Sequence, residues 1–375
     1  MSNLEHIFFY IILFAAFFAI TQFRQRFLNR HYWQIVTIPI LLYSLILGCR
    51  YGWGNDYLFY KIRFEHPFAY ENENIGFRIF NLLIHEIGGN FVTAFIIYSL
   101  IFILGAFVWI KSYRGNKYML SLFLPATLLL STYTIRQSVA TSFIFLTFFF
   151  LNKKKWIYML PMIIATYLIH PGAFIVFSLI LPFYFGTKVP LPYKITILLY
   201  ILASLFATFF AQPILSVSNT IIPYITLENK FQGYIQNSDY WLSTESWDKN
   251  YIQGTFTKTL SMAFHISVIY LGYITLQLRK QPNIIYLYNA IVIGFITSRL
   301  FFALEILRRT ADSIISFYFI PIGYSFFIYI NYNKLLSTKE KLFCRISMIC
   351  ILSYLILFYG RFILLSPERI FFWNK

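Results

Sequence analysis

Long apolar runs, separated by short polar and mostly basic connections, set the pattern of the whole chain. They fall at about 5–23, 33–49, 91–110, 118–133, 137–151, 156–169, 171–186, 195–211, 259–278, 284–302, 313–330 and 346–364. A bilayer-spanning helix needs about 20 apolar residues, fewer where the membrane thins. The pattern therefore predicts an all-α polytopic integral membrane protein with about 12 (10–14) transmembrane helices, forming one polytopic domain over 1–375. Residues 156–186 can be read as one kinked helix or as two short ones, because Pro171 disfavours helix at His170. Two stretches break the rhythm. In 50–90, the apolar residues Ile75, Ile79, Leu82, Leu83 and Ile87 recur at helical spacing, which predicts a helix lying along the membrane interface. In 212–257, polar and aromatic residues mix in a larger loop.

Composition agrees. The chain is 59% hydrophobic and 12% charged, against about 25% charged in soluble domains, and its mean hydropathy is +0.64. The net charge of +17 admits a nucleic-acid partner until its placement is considered. Alternate connections hold 17 basic residues against the single acid Glu340, and the rest of the chain holds 14 basic residues against 13 acids. By the positive-inside rule the first set is cytoplasmic, so the basic excess reports topology, with some lysines near anionic lipid headgroups, and no nucleic acid is implied. The same rule favours two spans over 156–186, with His170 at the outer turn. Arg24, Arg26 and Arg30 follow the first apolar run and no basic residue precedes it, which predicts a first span with its N-terminus outside rather than a cleaved signal. Cys49, Cys344 and Cys350 have neither zinc-ligand nor redox spacing.

This topology gathers Arg50, Asp56, Arg136, His170, Arg308 and Arg309 at the outer face, with Arg299 and Glu305 also at outer span ends. Arginine beside hydrocarbon costs several kcal/mol unless it has a partner or a task. Plainer readings stand beside the functional one. Arg50 and Arg136 could snorkel to headgroups, His170 could cap the helix turn before its proline, and Asp56 could be a solvated turn residue. Arg308 and Arg309 could form a rim cluster with Glu305 and Asp312, and the aromatics of 212–257 could be interfacial belt residues. "GWGNDY" lacks the glycines and context of a dinucleotide loop, "HEIGG" lacks the second histidine of a zinc helix, and no Walker loop is present. No carboxylate cluster is placed to hold a metal.

"RYGWGNDYLFY", "YTIRQSVA" and "ATYLIHPGAFIVF" resemble, in order and spacing, three elements of the EpsG family of bacterial exopolysaccharide proteins. The match is best over about 40–180, and "RRTADSIISFYFIP" is similar to a later family element. Asn74 stands where the family usually carries a glutamate, with Glu73 adjacent. The resemblance implies a Wzy/EpsG-type polymerase acting at the periplasmic or outer side of the bacterial cytoplasmic membrane. Such a glycosyltransferase lengthens a surface polysaccharide or O-antigen by moving an undecaprenyl-diphosphate-linked glycan onto the non-reducing end of a lipid-linked repeat unit. It implies partners in that lipid-linked oligosaccharide and the membrane lipids, leaves room for a chain-length regulator protein, and needs neither cofactor nor metal. Under it, Arg50, Arg136 and Arg308 or Arg309 are expected to bind the diphosphate, because guanidinium forks match phosphate oxygens. His170 is expected as the general base, with Asp56 the alternative. Tyr57, Tyr60, Gln137 and Glu73 are expected near sugar hydroxyls, and Tyr240, Trp241 and Trp247 are expected to stack on sugar rings. A flippase for lipid-linked oligosaccharide would instead place ionisable groups at mid-membrane depth, where His265 is the clearest example. A membrane glycosyl- or acyltransferase acting once shares every feature above.

Overall fold

The structure is a computed structural model that describes residues 2–52, 57–68, 74–221, 255–302, 305–364 and 370–371. Its helices are α1 (Ser2–Ala19), α2 (Gln25–Arg30), α3 (Tyr32–Gly48), α4 (Tyr57–Glu65), α5 (Ile75–Glu86), α6 (Phe91–Ile110), α7 (Asn116–Tyr133), α8 (Ile135–Asn152), α9 (Trp156–Ile169) and α10 (Pro171–Gly186). They continue with α11 (Tyr193–Ile221), α12 (Thr255–Leu278), α13 (Pro282–Leu300), α14 (Glu305–Ile315), α15 (Phe319–Tyr332) and α16 (Thr338–Leu364). A two-residue antiparallel pairing of β1 (Arg50–Tyr51) with β2 (Ile370–Phe371) joins the start of segment 50–90 to residues 370–371.

Seven of the described helices are long and apolar enough to cross a bilayer, and shorter apolar helices add to them. The protein is a multi-pass, all-α membrane protein. Each expected span coincides with a helical segment. The expected span 313–330 lies within one continuous candidate span, Arg308–Leu335, which includes a 3-10 turn at Ser316–Tyr318. Residues 212–221, expected in the larger loop, continue α11, and 222–254 lie outside the described residues. The chain packs as two compact units: residues 1–179, 318–333 and 355–375, and residues 180–317 with 334–354.

Hydroxyls inside the helices bond the carbonyl one turn back, as Ser44 does to Ile40 (2.8 Å), Thr127 to Phe123 (2.8 Å) and Thr275 to Leu271 (2.7 Å). Where no water is available, that satisfies the hydroxyl within its own segment. In the first unit, Trp109 of α6 lies over Phe145 and Phe148 of α8, ring centroids 5.4 and 5.6 Å away. Phe123 of α7 and Phe319 of α15 meet edge-on at 5.5 Å. Small residues let backbones close in. A side chain on Gly105 would reach 2.7 Å from the Ser142 carbonyl of α8, and one on Gly48 would strike the Ile96 backbone of α6. In the second unit, Tyr288 of α13 donates to the Ile269 carbonyl of α12 (2.8 Å). Asn289 pins the 187–192 connection, accepting from Leu191 N–H (2.8 Å) and donating to the Val189 carbonyl (2.9 Å).

The 156–186 segment breaks into two helices at His170, whose backbone is extended (φ −154°, ψ 99°). Phe177 of α10 packs on Phe148 of α8 at 5.6 Å, and Tyr167 and Phe174 meet across the break, also at 5.6 Å. Segment 50–90 holds two helices, α4 and α5. On α5, Phe77, Asn81 and Ile84 are buried, with Asn81 hydrogen-bonded to Tyr98 of α6. Ile75, Ile79, Leu83 and Ile87 form an exposed apolar stripe at four-residue spacing.

The close α6–α8 contact makes a direct prediction. Gly105→Ala should lower the thermal midpoint of the detergent-solubilised protein, by overpacking worth about 1–3 kcal/mol. Gly360→Ala, where an added methyl meets open space, should not. Equal midpoints for the two variants would contradict the packing.

Candidate functional site

One end of the first unit collects most of the polar residues singled out from the sequence. The C-termini of α3 and α7, the N-termini of α6 and α8, and the α9–α10 corner meet there. α7 ends at Tyr133 and α8 begins at Ile135, so a single residue, Thr134, separates two spans. The carbonyls closing α3 and α7 need donors and the N–H groups opening α8 need acceptors.

Arg50 meets the first need. Its guanidinium donates to the carbonyls of Leu47 (3.0 Å), Ser131 (3.3 Å) and Thr132 (3.4 Å) and lies 5.6 Å from the Phe95 ring. It is 1% exposed. A cation at helix C-termini also complements their negative dipole ends. Arg50 therefore ties the ends of α3 and α7 together, whereas the sequence placed it on a diphosphate.

Arg136 differs in kind. It sits in the first turn of α8, half-buried. Its Nε is buried, and none of its nitrogens bonds to anything in the protein among the described residues. His170 lies close enough to feel its charge. Burial first, and Arg136 second, push the imidazole pKa down to about 3. His170 stands at the N-cap of α10, and its Nδ1 accepts the Ala173 N–H at 3.0 Å. Pro171 follows at the first helical position, where a missing N–H costs nothing. With its Nδ1 lone pair engaged, the neutral ring carries its proton on Nε2. That arrangement makes His170 a cap and a hydrogen-bond donor. The expectation of a general base meets a geometric obstacle, because abstraction at Nδ1 requires the capping bond to break.

Segment 50–90 locks onto this corner. Asn74 Nδ2 donates to the Ile169 carbonyl (3.2 Å), and Gly76 abuts the backbone of Leu168. Tyr57 and Tyr60, expected near sugar, are 1% and 5% exposed. Tyr57 packs on Phe95 (4.9 Å) and Tyr60 on Phe77 (5.7 Å), and burial raises the Tyr57 hydroxyl pKa. Both rings pack between α4, α5 and α6. Gln137 is half-buried beside Arg136. Asp56, Glu73, Tyr240, Trp241 and Trp247 lie outside the described residues.

In the second unit, Arg308 is 7% exposed, with Nε 3.8 Å from Asp312 Oδ2, while Arg309 is exposed. Asp312 also accepts from Ser298 (2.7 Å). The rim ion-pair reading thus holds for Arg308 with Asp312. Sequence reasoning did not find the cluster alongside. Arg299 bonds Tyr200 and Ser261, and Tyr200 bonds His265. Only His265 inside a span and Arg299 at a span end signalled it. Among the described residues, no three His, Cys, Asp or Glu side chains stand together as metal ligands.

Fold and site together define a polytopic helical membrane protein with a half-buried guanidinium that has no counter-charge among the described residues. The family model of the EpsG family matches residues 33–373, and the chain belongs to that family. Membership points to a role in polysaccharide polymerisation. No curated protein and no solved structure matches the chain.

Arg50→Ala should destabilise the solubilised protein by at least about 2 kcal/mol, since three buried carbonyls lose a charged donor. A wild-type thermal midpoint in that variant would show that the carbonyls are satisfied otherwise.

Proposed function

We propose that this protein is a bacterial glycosyltransferase that lengthens a surface polysaccharide, an O-antigen or exopolysaccharide. It transfers an undecaprenyl-diphosphate-linked glycan chain to the non-reducing end of a lipid-linked repeat unit at the outer face of the cytoplasmic membrane. The observation that carries the proposal is Arg136, a half-buried guanidinium with no hydrogen-bonding partner or counter-charge among the described residues. Membership of the EpsG family supports it. A cation kept poorly solvated and unpaired is costly. A diphosphate bound there would offset that cost by supplying the missing acceptors.

The chemistry follows from charge. The acceptor hydroxyl attacks the anomeric carbon, the bond from that carbon to the diphosphate oxygen breaks, and undecaprenyl diphosphate leaves. Positive charge develops on the sugar and negative charge on the leaving group. Arg136 faces the leaving group with a planar fork that matches phosphate oxygens. It does so at the N-terminus of α8, where the helix dipole also favours anions. Because these donors are already in place, little reorganisation is needed as charge moves. His170 adds its Nε2–H, which no protein group among the described residues accepts. The acceptor proton goes to a carboxylate, and Asp56 is the sequence candidate. Arg50 acts as a positioning residue by fixing the ends of α3 and α7 beside Arg136. Arg309 remains a candidate phosphate contact, Gln137 and Glu73 candidate sugar contacts, and Tyr240, Trp241 and Trp247 candidate stacking platforms. A chain-length regulator protein is a fitting partner for such an enzyme.

Two experiments test this. In a strain lacking the gene, the Arg136→Lys variant should leave surface glycans at one repeat unit, because a point charge cannot replace the fork. His170→Asn, which keeps a capping acceptor, should retain more long polymer than His170→Ala. Wild-type chain lengths with Arg136→Lys would remove Arg136 from the chemistry. Loss of all lipid-linked oligosaccharide at the outer face would indicate a flippase instead. The second is pH dependence. The His170 pKa is lowered to about 3, so its imidazole is already neutral at pH 5 and stays neutral to pH 8. kcat/KM, which reports the free enzyme, should therefore show no limb from His170 across that range. A limb near pH 6.5 that His170→Asn abolishes would contradict this.

A further inference from the structure

Arg299 lies at the C-terminal end of α13 in the second unit, half-buried. Its Nε donates to Tyr200 Oη of α11 (2.8 Å) and its Nη2 to Ser261 Oγ of α12 (3.0 Å). Tyr200 is fully buried, and its ring also lies under the guanidinium, 5.7 Å from Cζ. Its hydroxyl accepts from Arg299 and is 2.9 Å from His265 Nδ1, to which it can donate. His265 is itself clamped, stacked on Phe295 at 4.0 Å. Three helices thus meet at one guanidinium: α13 carries it, and α11 and α12 each supply a neutral partner.

Those partners orient the charge without cancelling it. No carboxylate lies within ion-pair distance of Arg299 among the described residues, and Asp312 is bonded to Ser298 and Arg308. Two of the five guanidinium N–H groups are used. Among the described residues Nη1 has no protein partner, and it is not sealed from solvent. The open edge is the Nη1–Nη2 side, the one that meets two oxygens of a phosphate or carboxylate at once. The orientation is fixed beforehand, because the Tyr200–His265 pair and Ser261 hold the inner edge. Preorganisation of this kind reduces the entropy lost when an anion docks.

We propose that Arg299, held by Tyr200, Ser261 and His265, is an oxyanion site of the second unit, separate from Arg136, and that it binds phosphoryl or carboxylate oxygens of the glycolipid substrate. This rests on the polymerase reading for the identity of the substrate. Two sources carry that chemistry: the lipid diphosphate, and an acidic sugar of the glycan.

The test uses the full chain in nanodiscs and measures equilibrium binding of two probes, undecaprenyl diphosphate and a glucuronate-bearing tetrasaccharide. The wild type should bind at least one of them. Arg299→Gln should weaken that binding about tenfold or more, as expected for loss of charge-assisted hydrogen bonds. Tyr200→Phe, which keeps the arginine and frees its inner edge, should weaken it by a smaller factor, and the exposed Lys339→Gln should have no effect. Loss confined to undecaprenyl diphosphate identifies the phosphate source, and loss confined to the tetrasaccharide identifies the carboxylate source. Should Arg299→Gln fail to fold, Tyr200→Phe and Ser261→Ala carry the test. Binding unchanged in these variants, or no binding of either probe by the wild type, overturns the site. The assay involves no turnover. If Arg299-dependent binding holds while a strain lacking the gene still makes long polymer, the site stands and the polymerase reading falls.

Discussion

A guanidinium without a counter-charge, set into an apolar helical bundle, is the constraint on which the functional account depends. Placing an arginine beside hydrocarbon is expensive, and proteins normally recover the cost with carbonyls, a carboxylate or water. The four arginines at the span ends show three solutions. Arg50 is closed over backbone carbonyls, Arg308 is paired with Asp312, and Arg136 and Arg299 have no carboxylate within ion-pair distance among the described residues, although Asp312 feels the charge of Arg299. The first two arrangements stabilise the fold by themselves. The last two become favourable when something anionic arrives, which is the signature of a binding group and not of an anchor.

His170 shows how closely structure and chemistry share residues here. Its backbone breaks the 156–186 segment, its Nδ1 caps the helix that follows, and its ring stands within the field of Arg136. Capping sets the tautomer, burial and the arginine keep the ring neutral, and the proton left on Nε2 is a donor. The corner is braced from outside by Asn74 and Gly76. The exposed Ile75–Ile87 stripe of α5, suited to a membrane interface, is thereby mechanically joined to the residue beside the proposed diphosphate site.

Helices were legible in the sequence because apolar length and basic punctuation are strong signals in a membrane protein. Even the break at His170–Pro171 could be read, from the steric rule for a residue before proline and from charge alternation. Burial was not legible. Arg50, Tyr57 and Tyr60 share a motif with residues of proposed function, and a motif does not say which side chains face inward. Arg50 turns toward the Ser131 and Thr132 carbonyls only because α7 ends there, 81 residues away. A capping role for His170 could be read beside the functional one, but not that its Nδ1 is the atom engaged, by the Ala173 N–H in the first turn of α10. The Tyr200–His265–Arg299 cluster draws on three separate spans, and tyrosine is too common here, at 30 residues, for Tyr200 to have stood out.

The central claim is that Arg136 is a charge awaiting a diphosphate. Its most direct measurement is the nitrogen NMR signal of the Arg136 guanidinium, assigned by loss in Arg136→Lys, in the full-length protein in nanodiscs titrated with undecaprenyl diphosphate. The account predicts a saturable shift of the Nη signals and slowed exchange of their protons as phosphate oxygens take up the vacant donors. Signals unmoved at saturating lipid diphosphate would contradict it.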